Sequence, residues 1–291
     1  MGANVSKEQK SGSGKSRKLG VTLASGSITP DLLTSLWEPM VTEDLLKMFL
    51  LRLFRDGGLR SIGPKKLART YSRMMGGEPV IVSGSKTVTP QAVKDYLAEV
   101  WYSYVKVLKY HDVMSMASWT SARAADNAED VAALVGYLTR SIDGDQVSVG
   151  AFKNWMSNTP IVDLVTGVLA RAMFSLRPSR TSDCLLPTIV TPECFTTCLA
   201  PCQAAWLAWS IRAVECPPWR LIYSTSTHSR SWSQFLKCIV AQGPTLMVVV
   251  DQERTSFGLY ASTSWQCRSW YYGKYWNNIH ESTLESLSTL R

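Results

Sequence analysis

The spacing of apolar residues changes partway along this chain. Up to about residue 178 they recur in steps of three and four, and from 219 onward they fall in short strand-like runs. After Thr89-Pro90, the residues Val93, Tyr96, Leu97, Val100, Trp101, Tyr104, Val105 and Leu108 predict one long helix with a wide apolar face. After Thr159-Pro160, Leu164, Val165, Val168, Leu169, Ala172 and Met173 predict another. Thr29-Pro30 and Thr191-Pro192 repeat the same start signal, in which threonine caps the helix and proline fills a position needing no amide donor. A further amphipathic stretch from Cys194 to Val214 carries Trp206, Trp209 and Ile211, and Cys216-Pro217-Pro218 ends it. Aromatic and aliphatic stripes at this spacing are core rather than cofactor sites.

The second pattern runs from 219 to 265. Residues 219–224 are apolar and β-prone, and 224–233 form a hydroxyl-rich turn. Phe235, Leu236, Ile239 and Val240 return to helical spacing, and Gly243-Pro244 breaks the chain. Residues 245–250 and 257–262 read as two strands joined by the turn at 251–254. The unbroken run 246–250 is expected where both faces of a sheet are covered.

That order of pieces resembles the TLDc domain. The matching residues are Trp219, Arg220, Leu221, Ile222, Tyr223 and Ser224; Ser231, Trp232, Ser233, Gln234, Phe235 and Leu236; Gly243, Pro244, Thr245 and Leu246; and Phe257, Gly258, Ala261, Ser262 and Trp265. Two departures stand out: Ser229 where the family usually has a turn glycine, and Leu259-Tyr260 in place of Gly-Phe. The resemblance implies an α+β protein, with a helical EF-hand-like region followed by the first half of a TLDc β-sandwich and its flanking helices. The expected division is a basic tail over 1–28, a helical region over 29–178, a partial TLDc domain over 179–273 and a divergent tail over 274–291. The resemblance fades near Gly273, so a shortened half that cannot close its sheet is expected. Residues 29–178 would then resist proteolysis, the chain after about 180 would be cut readily, and proton-pump binding would be weak.

Charge changes the picture at the N-terminus. The formal net charge is +8, and residues 1–20 hold Lys7, Lys10, Lys15, Arg17 and Lys18 against Glu8 alone. Met1-Gly2-Ala3-Asn4-Val5-Ser6-Lys7 fits the N-myristoylation pattern on Gly2. A single acyl chain binds a bilayer marginally, and a basic cluster is the usual second signal. This predicts attachment to an anionic membrane surface, with no nucleic-acid partner. The most apolar stretch, 161–176, is interrupted by Asp163 and Arg171 and is too short to span a bilayer.

Candidate chemistry narrows rather than widens the reading. The seven cysteines follow no secretory signal, and Cys194, Cys198 and Cys202 fall four apart, which suits buried structural thiols in a reducing, cytoplasmic compartment. The segment 142–149 has the rhythm of a calcium loop, but with Val147 central the first and last ligand positions are Arg140 and Ala151. Arg55 and Lys66 hold those positions if Ile62 is central to an earlier loop. Neither a cation nor a methyl group coordinates calcium. His228 lies among serines without an orienting third group, and Asp251 and Glu253 straddle a turn, so no catalytic residue, metal or cofactor is assigned. An acylation signal, a degenerate calcium-loop scaffold and a TLDc domain together resemble the lysosomal, mTOR-associated branch of the family. That implies a non-enzymatic adaptor on the cytosolic face of lysosomes, with mTOR complex components and the vacuolar proton-ATPase as partners. Oxidative-stress protection, or an undetected hydrolase, are the alternatives.

Overall fold

The computed structural model describes residues 28–54, 62–63, 67, 87–122, 125–142, 144–173, 185–194, 197–211, 218–252 and 256–266. The acylation and basic-tail residues Gly2, Lys7, Lys10, Lys15, Arg17 and Lys18, together with Arg55 and Lys66, lie outside them. Helices dominate to residue 210: α1 (Pro30–Trp37), α2 (Glu43–Leu53), α3 (Pro90–Tyr110), α4 (Met114–Ser121), α5 (Ala128–Leu138), α6 (Val149–Ser157), α7 (Pro160–Met173) and α8 (Pro201–Ser210). The C-terminal part holds α9 (Trp232–Ile239) and an antiparallel hairpin of β3 (Thr245–Val250) and β4 (Ser256–Ala261). Helix and strand are thus both present, as an α+β reading requires.

The start signals act as their chemistry dictates in two of four cases. Thr29 Oγ1 accepts the Leu32 amide and Thr89 Oγ1 the Ala92 amide, capping α1 and α3. Thr159 instead turns its hydroxyl back to donate to the Trp155 carbonyl at 2.9 Å. Thr191-Pro192 opens only a three-residue 3-10 turn, Pro192–Cys194. The helix expected from Cys194 therefore begins at Pro201, so Cys194, Cys198 and Cys202 do not share one helical face. Among the described thiols Cys202 is buried, Cys238 half-buried and Cys198 exposed, so uniform burial does not hold.

Helix α3 is the axis of the helical body. It packs against α2, α4, α5 and α7 through Val93, Tyr96, Leu97, Val100, Trp101, Tyr104 and Leu108, all buried. Two short antiparallel pairings tie segments of this body together. Ile28, ahead of α1, exchanges both backbone hydrogen bonds with Ile62 at 2.9 Å. The two-residue β1 (Thr87–Val88), ahead of α3, pairs with β2 (Val147–Ser148), which leads into α6, and sets Val88 opposite Val147. Gly144, in the loop before β2, takes φ +87°, a conformation that favours glycine.

The core does not stop at residue 178. One continuous cluster runs from Ile28 through Leu185, Leu186, Ile189, Leu199 and Cys202 to Leu207, and nearly every residue of α8 is buried. Residues 219–224 do not form the expected strand. Trp219 alone bridges in parallel to Ile189, with its amide on the Thr188 carbonyl at 2.7 Å, and residues 220–224 pair with no strand. An apolar run becomes a strand only where a neighbouring strand takes its amides, and here Ile189 supplies a single rung.

Candidate functional site

The hairpin, α9 and the turns beside them carry the motif residues that the sequence singled out, and a second surface is the seam where residues 185–210 join the helical body. In the hairpin, Val249 faces Phe257, Met247 faces Leu259, and Thr245 faces Ala261. Leu246 and Val248 pack against the helical core. Strand alternation therefore puts Met247, Val249, Phe257 and Leu259 on the opposite face, away from that core. Phe257 is 47% exposed and the others are half-buried. The expectation that the 246–250 run has both faces fully covered is not met among the described residues: Leu246 and Val248 are half-buried against the core, and Val250 is 42% exposed.

Local chemistry explains most of the motif. Ser231 caps α9, its Oγ accepting the Gln234 amide at 3.4 Å and lying 2.9 Å from Ser233 Oγ. Phe235 meets Tyr223 edge-on at 5.1 Å, and Trp232, 70% exposed, leans on Phe235 at 5.1 Å. Gly243, at φ +82°, donates its amide to Ser264 Oγ, and Trp265 Nε1 reaches Thr245 Oγ1. Arg220 binds Gln242 through its guanidinium at 2.7 Å. Gly258 is buried opposite Val248, while Pro244 and Ser262 are exposed turn residues. The motif is therefore a packing and turn code rather than a cluster of reactive groups.

Ser229 shows what the departure from glycine does. It takes φ +83°, in the left-handed region that costs a residue with a Cβ roughly 1–2 kcal/mol. Tyr223 Oη donates to the Ser229 carbonyl at 2.6 Å and holds the turn there. Ser229→Gly is expected to raise stability by about 1 kcal/mol, part of the relief being cancelled by glycine's freer unfolded chain. Urea denaturation of the two proteins checks it.

The hydroxyl-rich turn is folded on itself. His228 Nδ1 accepts the Ser224 amide at 3.1 Å, and its ring stacks on Tyr223 at 5.8 Å. Ser224 Oγ pairs with Ser226 Oγ at 2.7 Å. The imidazole thus spends a ring nitrogen on a backbone amide, and no serine hydroxyl is bonded to it in this turn. Asp251 is exposed, as a solvated turn acid should be, and Glu253 lies outside the described residues.

At the seam, sequence reasoning missed the residues that matter. Asp126 accepts Trp101 Nε1 at 2.8 Å with one carboxylate oxygen and the Cys202 amide at 2.8 Å with the other. It thereby satisfies an open amide at the start of α8 and ties that helix to α3. Gln203 Oε1 takes the Ala200 amide, and Gln203 Nε2 reaches Asp130 Oδ1. Burial pushes the Asp130 carboxyl above its ordinary value, with Asp126 and Glu129 adding to the shift. Burial first, then the Asp126 charge, pushes the Cys202 thiol far up, so it is an inert structural thiol. Ahead of α8, three side chains hold the strap 185–190: Tyr104 Oη takes the Leu185 amide, Trp119 Nε1 donates to the Pro187 carbonyl, and Ser118 Oγ takes the Ile189 amide. No apolar stripe marks Ser118 in the sequence, because α4 buries Ser115 and Ser118 beside Met116 and Trp119.

The family model of the TLDc domain matches residues 196–281. The chain is 23% identical over 191 residues to MTOR-associated protein MEAK7 of Danio rerio, a match covering 64% of this chain and 42% of that protein. It is also 23% identical over 246 residues to the Mus musculus protein of the same name, covering 75% and 53%. A Xenopus laevis relative of that name is 23% identical over 211 residues, covering 66% and 45%. The chain spans about half the length of the curated relatives it matches. The motif residues in α9 and the hairpin fall inside the matched segment, so residues 196–281 are similar to the TLDc domain and the chain as a whole is similar to the MTOR-associated MEAK7 proteins.

Proposed function

We propose that this protein is a non-enzymatic adaptor of the mTOR pathway that works at a membrane and presents the outward face of the hairpin to a protein partner. The observation that carries the reading is the similarity, over 64–75% of the chain, to proteins named for association with MTOR. Met247, Val249, Phe257 and Leu259 supply the apolar patch such contacts use. The self-bonded His228 turn and the raised Cys202 thiol support a role without catalysis. The acyl signal at Gly2 with Lys7, Lys10, Lys15, Arg17 and Lys18 supports attachment to an anionic membrane. The cytosolic face of lysosomes and the vacuolar proton-ATPase are the compartment and partner that the family reading adds.

Intact mass of the protein from eukaryotic cells is expected to show a myristoyl group, and Gly2→Ala to release the protein from membranes. Raised salt should weaken binding of the acylated form. Phe257→Asp should lower co-precipitation of mTOR at least tenfold without changing acylation. Unacylated wild type would overturn the membrane part, and undiminished mTOR capture by Phe257→Asp would overturn the use of this face.

The helical body fits a pair of EF-hand-derived units that keep the loop pairing and have lost the ion. Ile62 and Val147, the apolar residues central to the two loops, are the ones that pair across them, with Ile28 and Val88. At the first ligand position the Arg140 guanidinium lies 4.2 Å from the Tyr137 ring centroid, and Ala151 at the last sits inside α6. Calorimetric titration is expected to show no calcium affinity in the micromolar range of sensor proteins. Micromolar binding would restore a calcium-sensing role.

A further inference from the structure

We infer that Ser233 is a phosphoacceptor for a protein kinase that selects arginine three residues ahead of its target. Residues 224–233 hold seven hydroxyl side chains and no acid. Residues 225–227 and 229–233 are all exposed. Among the described residues, Ser233 is the one serine or threonine with an arginine, Arg230, three positions before it. Arg230 is exposed and makes no ion pair among the described residues, so its guanidinium is presented to an acidic kinase subsite. Kinases bind acceptors in extended form, and this segment reaches that form at small cost. Ser231 is already extended at φ −87°, ψ 125°, and α9 is eight residues long with a cap bond of 3.4 Å.

In the transfer, Ser233 Oγ attacks the γ-phosphorus of a magnesium-bound nucleoside triphosphate. The new O–P ester forms as the bond to the bridging oxygen breaks. Nucleoside diphosphate leaves, and the hydroxyl proton passes to the kinase's carboxylate base. The product carries nearly two negative charges on the second residue of α9, beside Arg230, where both the helix end and the guanidinium favour an anion. It also sets a hydrated dianion next to Trp232 and Phe235. Apolar partners of that aromatic pair are disfavoured by it.

The test uses the folded full chain with magnesium, labelled ATP and the purified catalytic subunit of cyclic-AMP-dependent kinase, a basophilic enzyme, with phosphate mapped by mass spectrometry. Phosphate is expected on Ser233, lost in Ser233→Ala and cut at least tenfold in Arg230→Gln, with circular dichroism confirming that both variants fold. Heat-unfolded chain serves as the control for intrinsic kinase preference. Failure of the folded chain to take phosphate on Ser233 overturns the proposal, whatever the unfolded chain does. Phosphate confined to Ser224, Ser226, Ser229 or Ser231, or uptake unchanged by Arg230→Gln, overturns it equally. None of these readouts depends on mTOR or membrane binding.

Discussion

A fragment ending at residue 178 is expected to lose cooperative melting, while residues 28–211 should fold alone. The helical periodicity ends near 178, and that is where a protease-resistant fragment was expected to stop. The core continues past it. Helix α8 buries Pro201, Cys202, Gln203, Ala204, Ala205, Trp206, Leu207 and Ala208. Helix burial of this size is worth on the order of 10 kcal/mol, comparable to the whole stability of a domain. Truncation at 178 also removes the Leu185, Ile189 and Cys202 amides and the Pro187 carbonyl that Tyr104, Ser118, Asp126 and Trp119 bond. Each hydrogen bond lost in this way costs roughly 0.5–1.5 kcal/mol. The 29–178 fragment should bind a hydrophobic dye and be cut rapidly, and the 28–211 fragment should show a sharp thermal transition. A monomeric 29–178 fragment melting as sharply as 28–211 would mean that α8 is an accessory rather than part of the core.

The continuation of the core past residue 178 shows what kind of information was legible. Periodicity is local, so it located α3, α7, β3 and β4 to within a few residues, because each stripe fixes its own element. The turn signals did similar work: Ser231 caps α9, Gly243 takes a positive φ, and Ser229 is strained at the position where the family places glycine. Partners far apart in sequence left no such trace. Nothing around Asp126 announces Trp101 and Cys202, since an aspartate between helices reads equally well as a solvated loop residue. Residues 219–224 fail as a strand for the same reason: a β-prone run does not reveal whether another strand lies alongside. The candidate site follows this division. Its turns and aromatic contacts were readable, whereas the split of β3 into one packed and one outward face depended on where the helical core lies.

Replacing Trp119 by alanine is expected to lower stability by about 4 kcal/mol, within the range for deleting a buried tryptophan. Trp119 is fully buried on α4, donates its indole N–H to the Pro187 carbonyl, and meets Trp219 edge-on at 6.3 Å. It therefore touches the helical body, the strap and the first residue of the TLDc motif at once. The loss has three parts: transfer of the large ring, a stranded carbonyl, and an aromatic pair worth roughly 0.5–1.5 kcal/mol. For a body of this size the melting point should fall by about 8–16 °C. Trp119→Phe keeps a ring but not the donor, so a loss of about 1–3 kcal/mol is expected. Hydrogen exchange separates this from general loosening. The Trp219 amide bonds to Thr188 and the Val190 amide to Trp219, so both should exchange faster in Trp119→Phe while α3 amides stay protected. Equal acceleration in α3 would show that Trp119 supports the helical core alone. A melting point within about 2 °C of wild type in Trp119→Ala would show that the strap is held without it.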